Sequence, residues 1–143
     1  RVDVNATDAN NWGALQAACS VWGDVNVVKL LLESADLDVN AKSKNGWTAL
    51  YEAAFQRHAD IVHALLADGR ADINVRLDNG STVVDAVMQG ALQSAKYIFD
   101  DEKMRKLYQK SRTLVDFFIN NYGIDFDFDL MVKYLVIADE FDA

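Results

Sequence analysis

The sequence has no proline, one cysteine and two histidines among its 143 residues. The single cysteine, Cys19, cannot form a disulfide within the chain, and with two histidines it leaves too few ligands for a structural zinc site. We therefore expect a reducing, intracellular environment, with the cytoplasm favoured over the nucleus. Neither a metal nor any other cofactor is expected.

Basic residues are also scarce, since 14 lysines and arginines stand against 22 acidic residues and give a net charge of -8. Binding a phosphate backbone requires clustered basic side chains that displace counterions, so nucleic acid is not an expected partner. The longest purely apolar run near the C-terminus is residues 135–138. A bilayer crossing takes roughly 20 apolar residues, so membrane insertion is not expected either.

Catalytic motifs are absent from the sequence. The glycines form neither a P-loop nor a Gly-x-Gly-x-x-Gly run, and no Gly-x-Ser-x-Gly motif occurs. When the internal repeats described below are aligned, Cys19 stands opposite Ala54, which predicts a small packed side chain. A nucleophilic thiol is the unsupported alternative. The chain itself is therefore not expected to be an enzyme.

Residues 125–129 alternate aspartate with phenylalanine, as the opening of a calcium loop does. Such a loop needs glycine at its sixth position and glutamate at its twelfth, where this chain has Leu130 and Val136. We interpret the stretch as a solvated acidic edge and expect Phe126 and Phe128 to turn inward.

A short phrase recurs along the chain. It reads Asp-Val-Asn-Ala at residues 3–6 and 38–41 and Asp-Ile-Asn-Val at residues 72–75, which are 35 and 34 positions apart. Apolar clusters with helical spacing precede the second and third copies, at residues 27–32 and 61–66. A fixed period of this length is typical of repeat proteins.

Each period contains two short amphipathic segments. They lie at about residues 14–21 and 25–34, 48–57 and 59–68, and 82–89 and 91–100. One such pair cannot cover its own apolar face, so neighbouring pairs must stack. The dipeptides Asn45-Gly46 and Asn79-Gly80 indicate tight hairpin-like turns, because both residue types tolerate positive φ.

These residues, at this order and spacing, resemble the ankyrin-repeat family. The middle copy carries the likeness most fully, in residues 45–54, 58, 60–62, 65–66, 69 and 71–74. The resemblance implies an all-α ankyrin-repeat solenoid of stacked helix-turn-helix units. It also implies hairpin-like fingers at right angles to the helices and a structural role for His58 in the turn between helices.

Two departures from the family pattern stand beside the likeness. The family usually has Thr-Pro-Leu-His at the start of the first helix of each repeat. Here residues 13–16, 48–51 and 82–85 read Gly-Ala-Leu-Gln, Thr-Ala-Leu-Tyr and Thr-Val-Val-Asp. Without proline the first helical turn loses its preset φ. Without histidine we expect the loss of a hydrogen-bond link between neighbouring repeats.

The expected organisation is one domain of repeats with a divergent end. Ankyrin repeats are expected over residues 1–100, with the close of a preceding repeat at 1–6 and repeats at 7–41, 42–75 and 76–100. Residues 101–143 are expected to form a divergent helical cap in the same domain, with helices near 101–121 and 129–140. Residues 123–127 echo the phrase that closes each repeat. A separate small domain is the alternative.

The first repeat has no evident N-terminal cap, and an uncapped solenoid exposes apolar surface. Either the chain is a piece of a longer protein or a partner covers that face. We favour a piece of a longer protein.

Trp12 and Trp47 occupy the same position in successive fingers, with Ser81 in the third. The resemblance implies that this position faces a partner, and tryptophan is common among interface hot spots. The alternative is that each indole folds back to support the stack. Trp22, in a one-residue insertion between helices, is expected to be a local plug. The predicted protein-binding surface consists of Asn10, Trp12, Lys44, Asn45, Trp47, Tyr51, Glu52, Gln56, Asp78, Asn79 and Ser81. Phe55 on the first helix of the middle repeat is expected to complete its groove.

We therefore expect a non-catalytic protein-protein interaction module that binds through the concave face of its fingers and first helices. The acidic composition favours a partner protein with some basic character. One alternative is a regulatory or substrate-docking segment of a larger enzyme whose catalytic domain lies outside this chain. Another is an acidic surface that imitates nucleic acid, which requires the negative charge to be concentrated on one face.

Overall fold

The computed structural model describes residues 3–140, and these residues form seven helices. The helices are α1 (Ala14–Ala18), α2 (Val25–Leu32), α3 (Ala49–Phe55), α4 (Ala59–Asp68), α5 (Val83–Ala95), α6 (Asp101–Tyr122) and α7 (Phe128–Asp139). Among the described residues the only β-type pairing outside helices is an isolated bridge between Thr7 and Gly13. The expected all-α architecture is confirmed.

The helices form two rows. In the inner row α3 packs between α1 and α5, and α5 packs between α3 and α7. In the outer row α2 packs against α4, while α6 packs against α5 from the outer side. Apolar side chains along the seams between neighbouring repeats, such as Leu50, Ile61 and Val84, are almost completely buried. Each helix pair therefore completes its core with residues of the next pair.

Each of the inner helices α1, α3 and α5 is preceded by a tight finger turn. In the second finger the Gly46 N–H donates to the Ser43 carbonyl at 2.9 Å, and the Ser43 N–H donates to the Trp47 carbonyl at 3.0 Å. Gly46 and Gly80 have φ of 80° and 86°, so each supplies the left-handed residue that closes its turn. The hairpin-like turns are confirmed, with glycine and not the preceding asparagine at positive φ.

The recurring Asp-x-Asn phrase forms a hydrogen-bonded ladder along the stack. In each copy the aspartate carboxylate accepts the N–H of the asparagine two residues later, at 2.8 to 3.1 Å. The asparagine amide then joins the following repeat. Asn5 accepts the Asp38 N–H at 2.7 Å, and Asn40 accepts the Asp72 N–H at 2.7 Å. The phrase recurs because it satisfies backbone groups across the seams.

The expected loss of the histidine link is wrong in the first repeat. Gln16 stands at the histidine position, where its side chain accepts the Gly13 N–H at 3.1 Å and donates to the Ala41 carbonyl at 3.0 Å. A glutamine amide has both a donor and an acceptor, so it can join its own helix start to the next repeat.

The same expectation is wrong in the third repeat, where Asp85 stands at that position. One carboxylate oxygen accepts the Thr82 N–H at 2.9 Å, and the other accepts the Asp127 N–H at 2.7 Å. Ile124, in the segment that echoes the repeat-closing phrase, is buried. The segment at 124–127 thus occupies the place that the close of a following repeat would take.

His58 has the role that the resemblance implies. Its Nε2 lies 2.7 Å from the Ser20 carbonyl, and this contact joins the helix-helix turns of the first two repeats.

The third helix pair differs from its prediction. The expected helices at 82–89 and 91–100 are wrong, because α5 is one continuous helix that passes through Gly90. Its partner in the outer row is α6, whose 22 residues agree with the helix expected near 101–121, and α7 agrees with the helix expected near 129–140. The division into repeats and a cap stays a prediction. Among residues 3–140, no helix is both long enough and apolar enough to span a bilayer.

Gly90 is required by a close approach between helices, because a Cβ there would lie 1.9 Å from the Phe55 carbonyl oxygen. We expect Gly90→Ala to lower the free energy of unfolding by about 1 to 3 kcal/mol, as overpacking does. In an uncrowded helix the same change would raise the free energy of unfolding by about 1 kcal/mol. The sign of the measured change therefore distinguishes a crowded position from an open one. Urea denaturation followed by circular dichroism measures the change, with Gln109→Ala at an exposed position of α6 as the control. An increase in stability would contradict the close approach.

Candidate protein-binding surface

Five of the predicted binding residues lie at the finger tips and are exposed. These are Asn10, Lys44, Asn45, Asp78 and Asn79. The Lys44 N–H donates to the Asn10 carbonyl at 3.0 Å, so the first two fingers are held side by side. Between them lies a cleft of about 260 Å³, which Trp12 also lines. The finger tips thus form a fixed polar edge.

Trp47 folds back onto its own repeat. Its ring lies 4.9 Å from the rings of both Tyr51 and Phe55, at tilted angles, and its side chain is half-buried. Tilted aromatic pairs at this distance stabilise a fold beyond the burial of their area. Trp47 therefore supports α3, while the remaining part of its surface is open to a partner. Binding by Trp12 and Trp47 stays a prediction.

Three other predicted residues are buried, so the expectation that they are free to contact a partner is wrong. Tyr51 is 0% exposed, Glu52 5% and Ser81 8%. Tyr51 and Glu52 are buried because α3 is covered by α1 on one side and by α5 on the other, so most of its positions face a seam. Ser81 closes the third finger, where its carbonyl accepts the Leu77 N–H at 3.0 Å. Gln56 is half-buried and donates to Glu52 Oε1 at 3.2 Å.

A larger groove crosses the inner row of helices and extends beyond the first-helix surface that the sequence predicts. We call it the inner-helix groove. It has a volume of about 290 Å³ and is lined by Phe55 of α3, Gln89, Leu92 and Gln93 of α5, Lys96 at the C-cap of α5, and Leu130 and Lys133 of α7. The residues of α5 are spaced three or four apart, which places them on one helical face. The sequence pattern did not predict this continuous face, because the helix was expected to end before Gly90.

The inner-helix groove continues the surface around Trp47, because Phe55 contacts the indole and also lines the groove. At the other side Lys96 and Lys133 contribute positive charge, and neither makes an ion pair within residues 3–140. The groove therefore combines an aromatic end, two glutamine amides and two ammonium groups.

Burial also decides the chemistry of Cys19, which is completely enclosed. Burial, with the negative charge of Glu52 as a smaller cause, raises the pKa of Cys19 to about 12. A thiol that stays protonated and enclosed is a poor nucleophile, which agrees with the packed role expected for it. In the described part of the chain no group of three His, Cys, Asp or Glu residues is placed to hold a metal ion.

Three aromatic residues are more exposed than expected. Phe126 and Phe128 are 39% and 70% exposed, so the expectation that they turn inward is wrong. Phe128 begins α7, the last helix of the inner row, and no further repeat covers it among the described residues. Trp22 is 90% exposed and is not a plug, because the helix-helix turn carries it away from the stack.

Comparison with known proteins identifies the architecture. A family model described as ankyrin repeats, in three copies, matches residues 1–77. The chain belongs to the ankyrin-repeat family. The match to the family model ends before the third finger. That finger nevertheless has the same hydrogen bond as the second, because the Leu77 N–H donates to the Ser81 carbonyl at 3.0 Å.

Known relatives of this ankyrin-repeat chain are much longer proteins. It is 35% identical over 98 residues to a tyrosine-protein kinase, HTK16, of Hydra vulgaris, a match that covers 67% of the chain and 13% of the kinase. It is 43% identical over 86 residues to ankyrin repeat and SAM domain-containing protein 6 of Mus musculus, covering 59% and 9%. It is also 43% identical over 82 residues to mitochondrial disaggregase of Homo sapiens, covering 57% and 11%.

The ankyrin-repeat chain thus spans only about a tenth of these relatives. Ankyrin repeats are generally protein-interaction modules, and in the relatives they form part of larger proteins.

Truncating Trp47 tests how far its packing supports the fold. Complete removal of a buried aromatic side chain costs about 3 to 5 kcal/mol. Since Trp47 is half-buried, we expect Trp47→Ala to lower the free energy of unfolding by about 1 to 3 kcal/mol. Urea denaturation followed by circular dichroism measures this change, and Trp22→Ala is the matched control because that indole is exposed. Equal effects of the two variants would show that Trp47 does not support α3.

Glu52 gives the ankyrin-repeat chain a dependence of stability on pH. Burial raises the pKa of Glu52, and the hydrogen bond from Gln56 offsets part of this effect. Just above the ordinary carboxyl pKa, the folded chain therefore holds a proton that the unfolded chain releases. The free energy of unfolding falls as pH rises through that range.

In Glu52→Gln this loss is removed, so we expect its stability relative to wild type to be greater at pH 7 than at pH 4. Urea denaturation at the two pH values measures the difference. Glu33→Gln, at an exposed position, is the control. A relative stability of Glu52→Gln that does not change with pH would contradict the effect of burial.

Proposed function

We propose that the chain is a non-catalytic protein-interaction module that holds a segment of a partner protein in the inner-helix groove. The observation that carries this proposal is the continuity of the groove across α3, α5 and α7. Neighbouring helices lie about 8 to 10 Å apart, so a segment crossing all three spans roughly 20 Å. About six extended residues cover that distance.

The lining of the groove indicates how such a segment is held. Phe55 and Leu92 offer apolar contact to one large side chain of the partner. The amides of Gln89 and Gln93 each have donors and an acceptor, which suits the backbone of an extended peptide. The exposed finger tips, which include Asn10, form a polar rim beside the groove. At this rim a partner protein with some basic character contacts the acidic chain.

Peptides selected from a displayed random library on the folded chain test this proposal. The affinity of the selected peptides is then measured for wild type and for the double variant Gln93→Ala/Lys133→Ala, which changes two exposed groove residues. We expect a loss of about tenfold, equivalent to 1.4 kcal/mol.

The matched control is Gln109→Ala/Lys29→Ala, which removes the same residue types from exposed positions outside the groove. Circular dichroism establishes that all variants remain folded. Selected peptides that bind wild type and the groove variant equally, or that lose as much with the control, would place binding elsewhere.

A regulatory or substrate-docking segment of a larger enzyme is the second candidate. It is favoured by the names of two relatives, a tyrosine-protein kinase and a disaggregase, each of which is far longer than its match. Sequencing the full transcript decides between the two: a flanking catalytic domain supports this function, and a product made only of repeats opposes it. An intracellular, cytoplasmic location is part of the proposal, since the buried Cys19 requires no oxidising compartment.

A further inference from the structure

The outer row of helices carries a second groove, between α4 and α6, which we call the outer groove. Its volume is about 270 Å³, and it is lined by Ala59, His63, Lys110, Thr113, Leu114 and Phe117. It exists because α2 packs directly on α4, whereas α4 and α6 touch at few points. The two helices meet at the rings of His63 and Phe117, which lie edge to face at 4.7 Å.

The floor of the outer groove is apolar. Leu114 is 2% exposed, and both Ala59 and Phe117 are half-buried. Pockets for drug-sized ligands have volumes of about 300 to 1,000 Å³ and enclose most of the ligand. The outer groove is smaller and open along α6, so it suits one apolar side chain of a longer chain better than a whole small molecule.

Lysines are the most frequent charged residues on the face of α6 beside the groove. Lys103, Lys106 and Lys110 are spaced three and four residues apart, so they share one face of α6, and the same face continues into the groove. Lys106 is paired with Glu102 at 3.2 Å, with both side chains highly exposed. Within the described residues, Lys103 and Lys110 make no ion pair. Lys110 therefore brings a positive charge to the groove itself, and Lys103 adds another about two turns away on the same helical face, in a chain of net charge -8.

We propose that the outer groove binds an acidic peptide segment of a partner protein. One apolar side chain of the segment enters between Phe117 and Leu114, and its carboxylates lie along Lys110 and Lys103. From Leu114 to Lys103 the helix rises about 16 Å, at 1.5 Å per residue. A segment of about five extended residues reaches from one to the other.

This site is distinct from the inner-helix groove, because it belongs to the opposite row of helices and shares no residue with it. The two grooves can therefore be occupied independently. Each can also fail its test without affecting the other.

A labelled peptide of about ten residues, with one leucine preceded by glutamates, is the probe. Fluorescence anisotropy measures its binding to the full chain at low and at moderate salt. We expect the acidic peptide to bind and its affinity to fall with salt, since exposed charges are screened. A peptide with glutamine in place of glutamate, and one with serine in place of leucine, should each bind at least about fivefold more weakly, since each removes one of the two contacts.

Charge reversal locates the site. Lys103→Glu/Lys110→Glu should weaken binding of the acidic peptide about tenfold. Lys29→Glu/Lys42→Glu makes the same charge change at exposed positions outside both grooves and should not. Thr113→Trp, at an exposed position, should block the groove while leaving the fold intact by circular dichroism.

Equal binding of the acidic and neutral peptides, or equal losses in the two charge-reversal variants, would overturn the proposal. Sedimentation with vesicles containing phosphatidylserine is the remaining arm. Binding to these vesicles without binding to the acidic peptide would assign the lysines to a membrane surface and would also overturn it.

Discussion

The structure depends on one constraint, which is that no helix pair of this chain can bury its own apolar face. Each pair is completed only by the next, and the seams between them contain the largest buried side chains, among them Tyr51, Leu65 and Tyr134. The same constraint determines what is available for binding. A residue of α3 reaches solvent only along the open edge of that helix, because both of its flanks are occupied by neighbouring inner helices.

Polar groups at the seams satisfy the backbone that stacking removes from water. The asparagines of the repeat phrase do this at Asn5 and Asn40, and the side chains of Gln16 and Asp85 do it at the starts of two inner helices. Glutamine and aspartate differ from histidine in their hydrogen-bond donors and acceptors. Each of these two side chains nevertheless forms hydrogen bonds both to its own helix start and to the following segment. The stack is thereby held in register by hydrogen bonds as well as by apolar packing.

The two rows of helices give the module two unlike surfaces. The inner-helix groove is long, crosses three helices and has glutamine amides at its centre, whereas the outer groove is short and opens onto the lysines of α6. The outer groove lies where α6 does not follow α4 closely. The third helix pair is also longer than the first two, with 13 residues in α5 and 22 in α6. An acidic chain thus carries a local region of positive charge that its net charge conceals.

The sequence by itself determined the repeat period, the finger turns at Gly46 and Gly80 and the two terminal helices. Each of these is encoded by neighbouring residues or by a spacing that recurs. Only the tertiary structure decided that α5 continues through Gly90, that Tyr51 and Glu52 are enclosed while Trp22 is exposed, and that α4 and α6 leave a groove. These features depend on which helices approach one another, and that approach is set by side chains from different repeats whose combined shapes no local pattern contains.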